Sequence, residues 1–223
     1  METLWKDDNG HRNPGPLLAI GVAVDGFAVR VADTVPDTLG QSLRDVVAAS
    51  TPPADPSQRP SCVERCQALL GPDAELSSGP SYFVPEPLGF SSDAVIVRSD
   101  DPRRAILRAA NPGNWEAQEW LDLLEGRLGP WAMATRGDRV ISICHTPRNA
   151  PRGVEAGTWT DQEFRGQGLA AATTAAWSEL VVRDGRYVFY STSADNRSSQ
   201  GVAARLGLPC IGWIWKVTKP DTP

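Results

Sequence analysis

No apolar run in the 223 residues approaches the ~20 consecutive positions that a membrane-spanning helix needs, and residues 1–15 have neither the basic segment nor the apolar core of a secretory leader. Cysteine is scarce. The four present, Cys62, Cys66, Cys144 and Cys210, form no C-x-x-C pair, and the two histidines, His11 and His145, lie far apart, so no metal site is expected. These absences describe a soluble cytoplasmic protein with reduced thiols. A strong charge of either sign is missing too: 22 basic against 27 acidic residues leave a net charge of -5, which disfavours nucleic acid and suits a cationic substrate. With 41% hydrophobic and 22% charged residues the composition is that of a globular chain, long enough for one large domain or two small ones.

Two Val-rich runs, Leu17 to Val24 and Phe27 to Val31, flank Asp25-Gly26, a dipeptide suited to a hairpin turn. A helix is predicted over Thr38 to Ala49, with Leu39, Leu43, Val46 and Val47 on one face, and a short one over Cys62 to Leu70, stopped by Gly71-Pro72. Cys62 and Cys66 fall one turn apart there, as small buried hydrophobes. Leu70 to Ser92 is dominated by Pro, Gly and Ser and receives no strand or helix. It places a domain boundary near residue 90, with a smaller α+β hairpin-and-helix region before it and an α/β unit after it.

In that second unit AVIVRS (residues 94–99) reads as a strand, Asp101 to Gly129 as two helical stretches, and WAMAT with VISIC as a hairpin across Arg136-Gly137-Asp138. Strand (Val154 to Thr160), helix (Arg165 to Arg183), strand (Tyr187 to Ser193), helix (Arg197 to Leu206) and strand (Cys210 to Val217) follow. The first of these helices aligns Leu169, Ala172, Ala176 and Leu180 and stops at Asp184-Gly185. The second opens behind Asp195-Asn196, buries Val202 and Leu206, and stops at Gly207. Such alternation implies a sheet that is at least partly parallel.

The chemistry centres on the junction VEAGTWTDQEFRGQGLAAATT. Arg165, Gly166, Gln167 and Gly168 open a helix directly after a strand, with glycines where a backbone must approach a ligand closely. The free amides of a helix's first turn, reinforced by the helix dipole, make a pyrophosphate site. This segment resembles motif A of the GNAT superfamily of acyl-CoA N-acyltransferases, a Gln or Arg, two residues, Gly, one residue, then Gly or Ala: here Arg165, Gly168 and Ala170. Further on, YSTSADNRSSQGVAARLGL is similar to the family's later strand, its Asn and a helix ending in Arg-Leu-Gly.

The resemblance covers about Ala94 to Val217. It implies a mixed, splayed GNAT-type sheet flanked by helices, acetyl-CoA as acyl donor, no metal, and an amine acceptor on a small molecule. The donor's pantetheine arm would enter between the strand ending at Thr160 and the strand beginning near Tyr187. Backbone groups of Trp159 and Thr160 would bond the arm, Arg165 and the amides of Gly166, Gln167, Gly168, Leu169 and Ala170 would hold the pyrophosphate, and Asn196 would sit by the pantetheine. A dinucleotide fold would need G-x-G-x-x-G and an acidic residue ending the next strand, which here ends STS, and a P-loop would need Gly-Lys-Ser/Thr.

Acyl transfer to an amine needs a base, and Glu155, on the same strand face as Gly157 and Trp159, is the first candidate, ahead of Asp161 and Glu163. The bland alternative is a solvated or salt-bridged carboxylate. The tyrosine that many family members carry on the last helix is replaced by Ala203, leaving Tyr190, Ser191, Ser193 and Ser199 as substitute acids. Adjacent Cys144 and His145 read as core cysteine and surface histidine rather than a catalytic pair. Trp115, Trp120, Trp131 and Trp159 suit either a partly apolar acceptor or the core. The N-terminal region reads as a degenerate half of the same fold or as a lid, and the chain as a monomer or homodimer without nucleic-acid or membrane partners. Two further functions stay open: a non-catalytic acyl-CoA-binding module and transfer to a protein amine.

Overall fold

The computed structural model describes residues 15–182 and 185–219; His11 and the helix end expected at Arg183-Asp184 lie outside them. The chain opens with the hairpin β1 (Leu18–Ala23) and β2 (Gly26–Val31). Its turn is Val24-Asp25, one residue earlier than expected, because Gly26 pairs with Ala23. Helices α1 (Asp37–Ala48) and α2 (Ser61–Leu70) follow. Both carry the apolar face that their spacing predicts, and Cys62 and Cys66 are fully buried, which pushes the Cys66 thiol up to about 11.

The next element is one that composition hid. Residues 75–83 form β3 (Glu75–Phe83), despite Gly79-Pro80 at its centre. The missing Pro80 N–H removes a donor on one side only: Pro80 faces residues 191–194, where its carbonyl still accepts from Thr192 N–H. Thereafter come β4 (Val95–Arg98), a 3-10 helix (Pro102–Ala109), α3 (Ala117–Leu124), and the hairpin β5 (Ala132–Arg136) and β6 (Arg139–Ala150). The chain ends with β7 (Gly153–Thr160), α4 (Leu169–Val181), β8 (Tyr187–Ser191), α5 (Arg197–Arg205) and β9 (Cys210–Thr218). Helix α4 starts four residues later than predicted, because Gly166 and Gly168 take positive φ angles of 80° and 79° and Gln162–Phe164 forms a separate 3-10 turn. It is buried on nearly every side rather than along one stripe, and α5 buries Ala203 completely while Val202 and Leu206 are only partly covered.

The nine strands of the described residues join one mixed sheet in the order β2-β1-β9-β3-β8-β7-β6-β5-β4, antiparallel except for β7 beside β8. The α/β class with a mixed, helix-flanked sheet is thus observed, but the sheet runs straight across residue 90, with β3 lying between β8 and β9. One face is covered along its whole width. Helices α1 and α2 pack on Leu18, Ile20, Trp215 and Val217, and α4 and α5 pack on Val154, Ala156, Val188 and Tyr190. Among the described residues the opposite face is covered only over β4 to β6, where α3 and the 3-10 helix enclose Val97, Trp115, Trp120, Trp131, Met133 and Ile143. Three of the four tryptophans considered for an acceptor site are therefore core. No helix among the described residues is long and apolar enough to cross a membrane.

Gly79 marks the tightest backbone approach in the centre of the sheet, since a Cβ there would lie 1.9 Å from the Thr192 carbonyl oxygen. Gly79→Ala should therefore destabilise the protein by at least about 1–3 kcal/mol, the cost of overpacking a close-packed interior. Urea denaturation followed by circular dichroism checks it, and an unshifted midpoint would contradict so close an approach.

Candidate active site

Strands β7 and β8 run parallel from the pair Gly153/Tyr187 to the pair Ala156/Tyr190 and then part. The cause lies in β3. After Ser191 the chain follows β3 instead of β7: Thr192 N–H donates to the Pro80 carbonyl (3.2 Å) and Ala194 N–H to the Ser78 carbonyl (2.8 Å). Strand β7 continues to Thr160 with β6 as its only strand partner. Alternation decides which of its groups face the gap. Arg152 accepts from Tyr187 on the β8 side and Asp161 donates to Ile141 on the β6 side, so Thr158 and Thr160 turn their backbone groups to the gap. Trp159 instead turns its carbonyl toward β6, where it accepts from Ser142 Oγ (3.0 Å). Of the two residues expected to offer backbone groups the structure places Thr160 at the gap, and with it Thr158, which sequence reasoning missed.

At the end of the gap stands the glycine loop. Gly168 caps α4 in the left-handed conformation, and the first-turn amides of Leu169 and Ala170 border a cavity of about 190 Å³ between α4 and α5. Arg165, Arg197 and Arg205 line the same cavity, giving three guanidinium groups around a helix N-terminus. Arg197, Gly201 and Arg205 recur every four residues on α5, a stripe that periodicity alone would have exposed. Gln167 points elsewhere, into a groove of about 420 Å³ beside Asp93 and Arg136. Asn196 is the N-cap of α5, its side-chain oxygen accepting from Ser199 N–H (2.9 Å).

Glu155 occupies the uncovered face of the sheet, with its side chain 13% exposed and ion-paired to Arg148, its register partner on β6. A bulge in β6 between His145 and Arg148 brings the two side by side. Both line a cavity of about 680 Å³ that extends over β8, β3 and β9 to the β1–β2 hairpin, with Phe27, Phe189, Ile211, Trp213 and Ile214 among its walls. Ser191 is there as well, its hydroxyl 3.1 Å from that of Ser81.

Tyr190 lies on the helix-covered face. Its hydroxyl is 2.7 Å from Ser199 Oγ and 3.4 Å from Thr158 Oγ1, at the point where β7 and β8 diverge, and burial raises its pKa. Ser193 is not brought to this point: it is exposed on the loop after β8 and its side chain bonds Asp195. Asp161 and Glu163 both pair with Arg139 (2.9 and 3.2 Å). Cys144 and His145 face opposite sides of the sheet, as alternation requires, and burial raises the thiol pKa strongly. The expectation of a surface histidine is corrected: His145 is 2% exposed, edge-on to Trp115 at 5.0 Å, because the segment between the 3-10 helix and α3 covers it. Among the described residues no cluster of His, Cys, Asp or Glu could hold a metal ion.

The family model of the acetyltransferase (GNAT) domain matches residues 92–209. Among solved structures, a GCN5-related N-acetyltransferase-like protein from Streptococcus suis is 15% identical, over 98% of this chain and 89% of that one, with a TM-score of 0.50. A tandem GNAT protein from the clavulanic acid biosynthesis pathway is 15% identical, over 94% and 86%, with a TM-score of 0.51. At such identity the likeness is one of fold. No curated protein is similar enough in sequence to match.

Burial pushes the His145 pKa from 6.5 down to about 3. Between those values the unfolded chain binds a proton that the folded chain refuses, so stability is full above 6.5 and falls as pH drops, by up to about 1.4 kcal/mol per unit. His145→Gln should remove this part of the slope. Urea midpoints of both proteins between pH 7 and pH 4 measure it, and parallel curves would place the imidazole in a more polar setting.

Proposed function

The chain belongs to the GNAT acetyltransferase family, and from that premise we propose that it moves an acetyl group from acetyl-CoA to a primary amine of a small molecule, by direct attack on the thioester. The observation that carries the reading is the gap between β7 and β8, with an arginine-lined helix N-terminus at one end and a carboxylate-bearing cavity beside the other. The residues present fit the donor. Amides of Leu169 and Ala170 with Arg165, Arg197 and Arg205 suit its phosphates, Gly166 and Gly168 give their oxygens access to backbone, and the gap-facing backbone of Thr158 and Thr160 suits the amide-rich arm. Acetyl-CoA supplies an acetyl group already activated as a thioester.

Within the chain, Glu155 takes the proton that an ammonium must lose before its nitrogen can attack. It does so by leaving Arg148, its partner in the structure. The Tyr190 hydroxyl, held by Ser199 at the divergence point, is placed to give the departing sulfur a proton in the absence of a phenol at Ala203. The N-terminal hairpin contributes Gly21 to Ala23 and Asp25 to Ala28 to the cavity and so acts as a wall of the acceptor site. A bound but unreactive acyl-CoA is the rival reading, and following thiol release from acetyl-CoA over a panel of amines separates the two.

Gly168→Asp should abolish coenzyme A binding in a folded protein, since it sets a carboxylate beside the phosphates and close to Arg205. Calorimetric titration decides, and retained affinity would remove the phosphate-loop assignment. Glu155→Gln should keep that affinity and lower turnover roughly hundredfold at pH 7. As pH rises toward the acceptor's own pKa, free amine accumulates and the variant's rate should approach that of the parent. A variant with normal turnover at pH 7 would return Glu155 to a structural ion pair.

A further inference from the structure

The cavity of about 680 Å³ holds a charge arrangement that a simple amine does not complement. Arg148 and Glu155 are paired on adjacent strands at the end of the cavity nearest the gap. Lys216 of β9 shares this face, opposite Ala19 and Ser77, and is close enough to feel both: burial and Arg148 push its ammonium pKa down, and Glu155 opposes them. The ion pair of the cavity, Arg148 with Glu155, thus stands beside walls formed by Phe189, Ile211 and Ile214. An ammonium arriving alone would draw Glu155 away from Arg148 and leave a guanidinium uncompensated in a half-dry site, an unfavourable exchange. A molecule that carries a carboxylate next to its amine makes the exchange neutral, because each member of the internal pair finds a new partner of the right sign. The guanidinium fork is suited to take that carboxylate by two parallel hydrogen bonds.

We propose that the acceptor is an α-amino acid with a bulky apolar side chain, its carboxylate held by Arg148, its amine served by Glu155 and its side chain lying against the apolar walls. This rests on the acyl-transfer reading above. The ammonium gives one proton to Glu155. The carbon–nitrogen bond then forms as the carbon–sulfur bond breaks, and the nitrogen's second proton is balanced by one delivered to sulfur, leaving a neutral amide and a free thiol. Because the amide has no positive charge, Glu155 goes back to Arg148 once its proton is lost, and this return favours product release.

Thiol release from acetyl-CoA is measured with L-phenylalanine and L-leucine, and with two carboxylate-free counterparts, phenethylamine and L-phenylalaninamide. The expected result is a kcat/KM at least tenfold higher for L-phenylalanine than for either counterpart, with Arg148→Gln bringing that ratio toward one. If Arg148→Gln fails to fold, the comparison of substrates on the parent protein decides alone. Equal or faster turnover of the carboxylate-free amines overturns the amino-acid assignment and leaves acyl transfer standing. Release from none of the four, while coenzyme A still raises the melting temperature, overturns the assignment as well. Absence of any coenzyme A effect on melting would instead strike the acyl-transfer reading itself.

Discussion

Strand β3 is hydrogen-bonded to β8 along one edge and to β9 along the other, and this double pairing makes one sheet out of two lengths of chain. It also opens the sheet. The backbone leaving β8 is held by the Pro80 and Ser78 carbonyls, so it departs from β7 and strips Thr158 and Thr160 of a strand neighbour on that side. Gly79 permits the approach, since any side chain there would collide with the Thr192 carbonyl. The gap between β7 and β8 and the cavity beside it thus both depend on a segment far from β7 and β8 in sequence.

The electrostatics follow from the same layout. The chain as a whole is acidic, with a net charge of -5, yet some of its 22 basic residues gather at two places. Three arginines line the cavity at the N-terminus of α4, and Arg148 pairs with Glu155 on the uncovered face, which Lys216 of β9 shares. Net charge therefore says little about either place, because a few guanidinium groups beside a helix dipole outweigh distant surface carboxylates that water and salt screen.

Local signals were legible where the physics is local. Apolar periodicity marked α1, α2 and the β5–β6 hairpin, and the glycines of the 165–168 loop marked the start of α4, although two positive φ angles delayed the helix itself. The composition of residues 70–92 concealed β3, because a Gly-Pro pair in a strand is admissible only where a neighbour approaches closely and the pairing can spare the proline's donor, and both facts are long-range. The choice between Trp159 and Thr158 depends on register, which a one-residue slip inverts. The Arg148–Glu155 pairing needs the β6 bulge, and the burial of His145 needs Trp115 folded over it. Arg197 and Arg205 are different, for their spacing on α5 lay open to inspection.

The interior position of β9, between β1 and β3, has a consequence for how the molecule is made. Strands β1 and β3 both pair with it, yet they are synthesised long before it, and β2 has only β1 for company in the meantime. Contacts of such sequence separation are slow to form, and the waiting strands present open edges to any neighbouring chain. Production of this protein should thus be limited by the lifetime of a half-built sheet, with shelter for those edges during synthesis mattering more than further stabilisation of the finished fold.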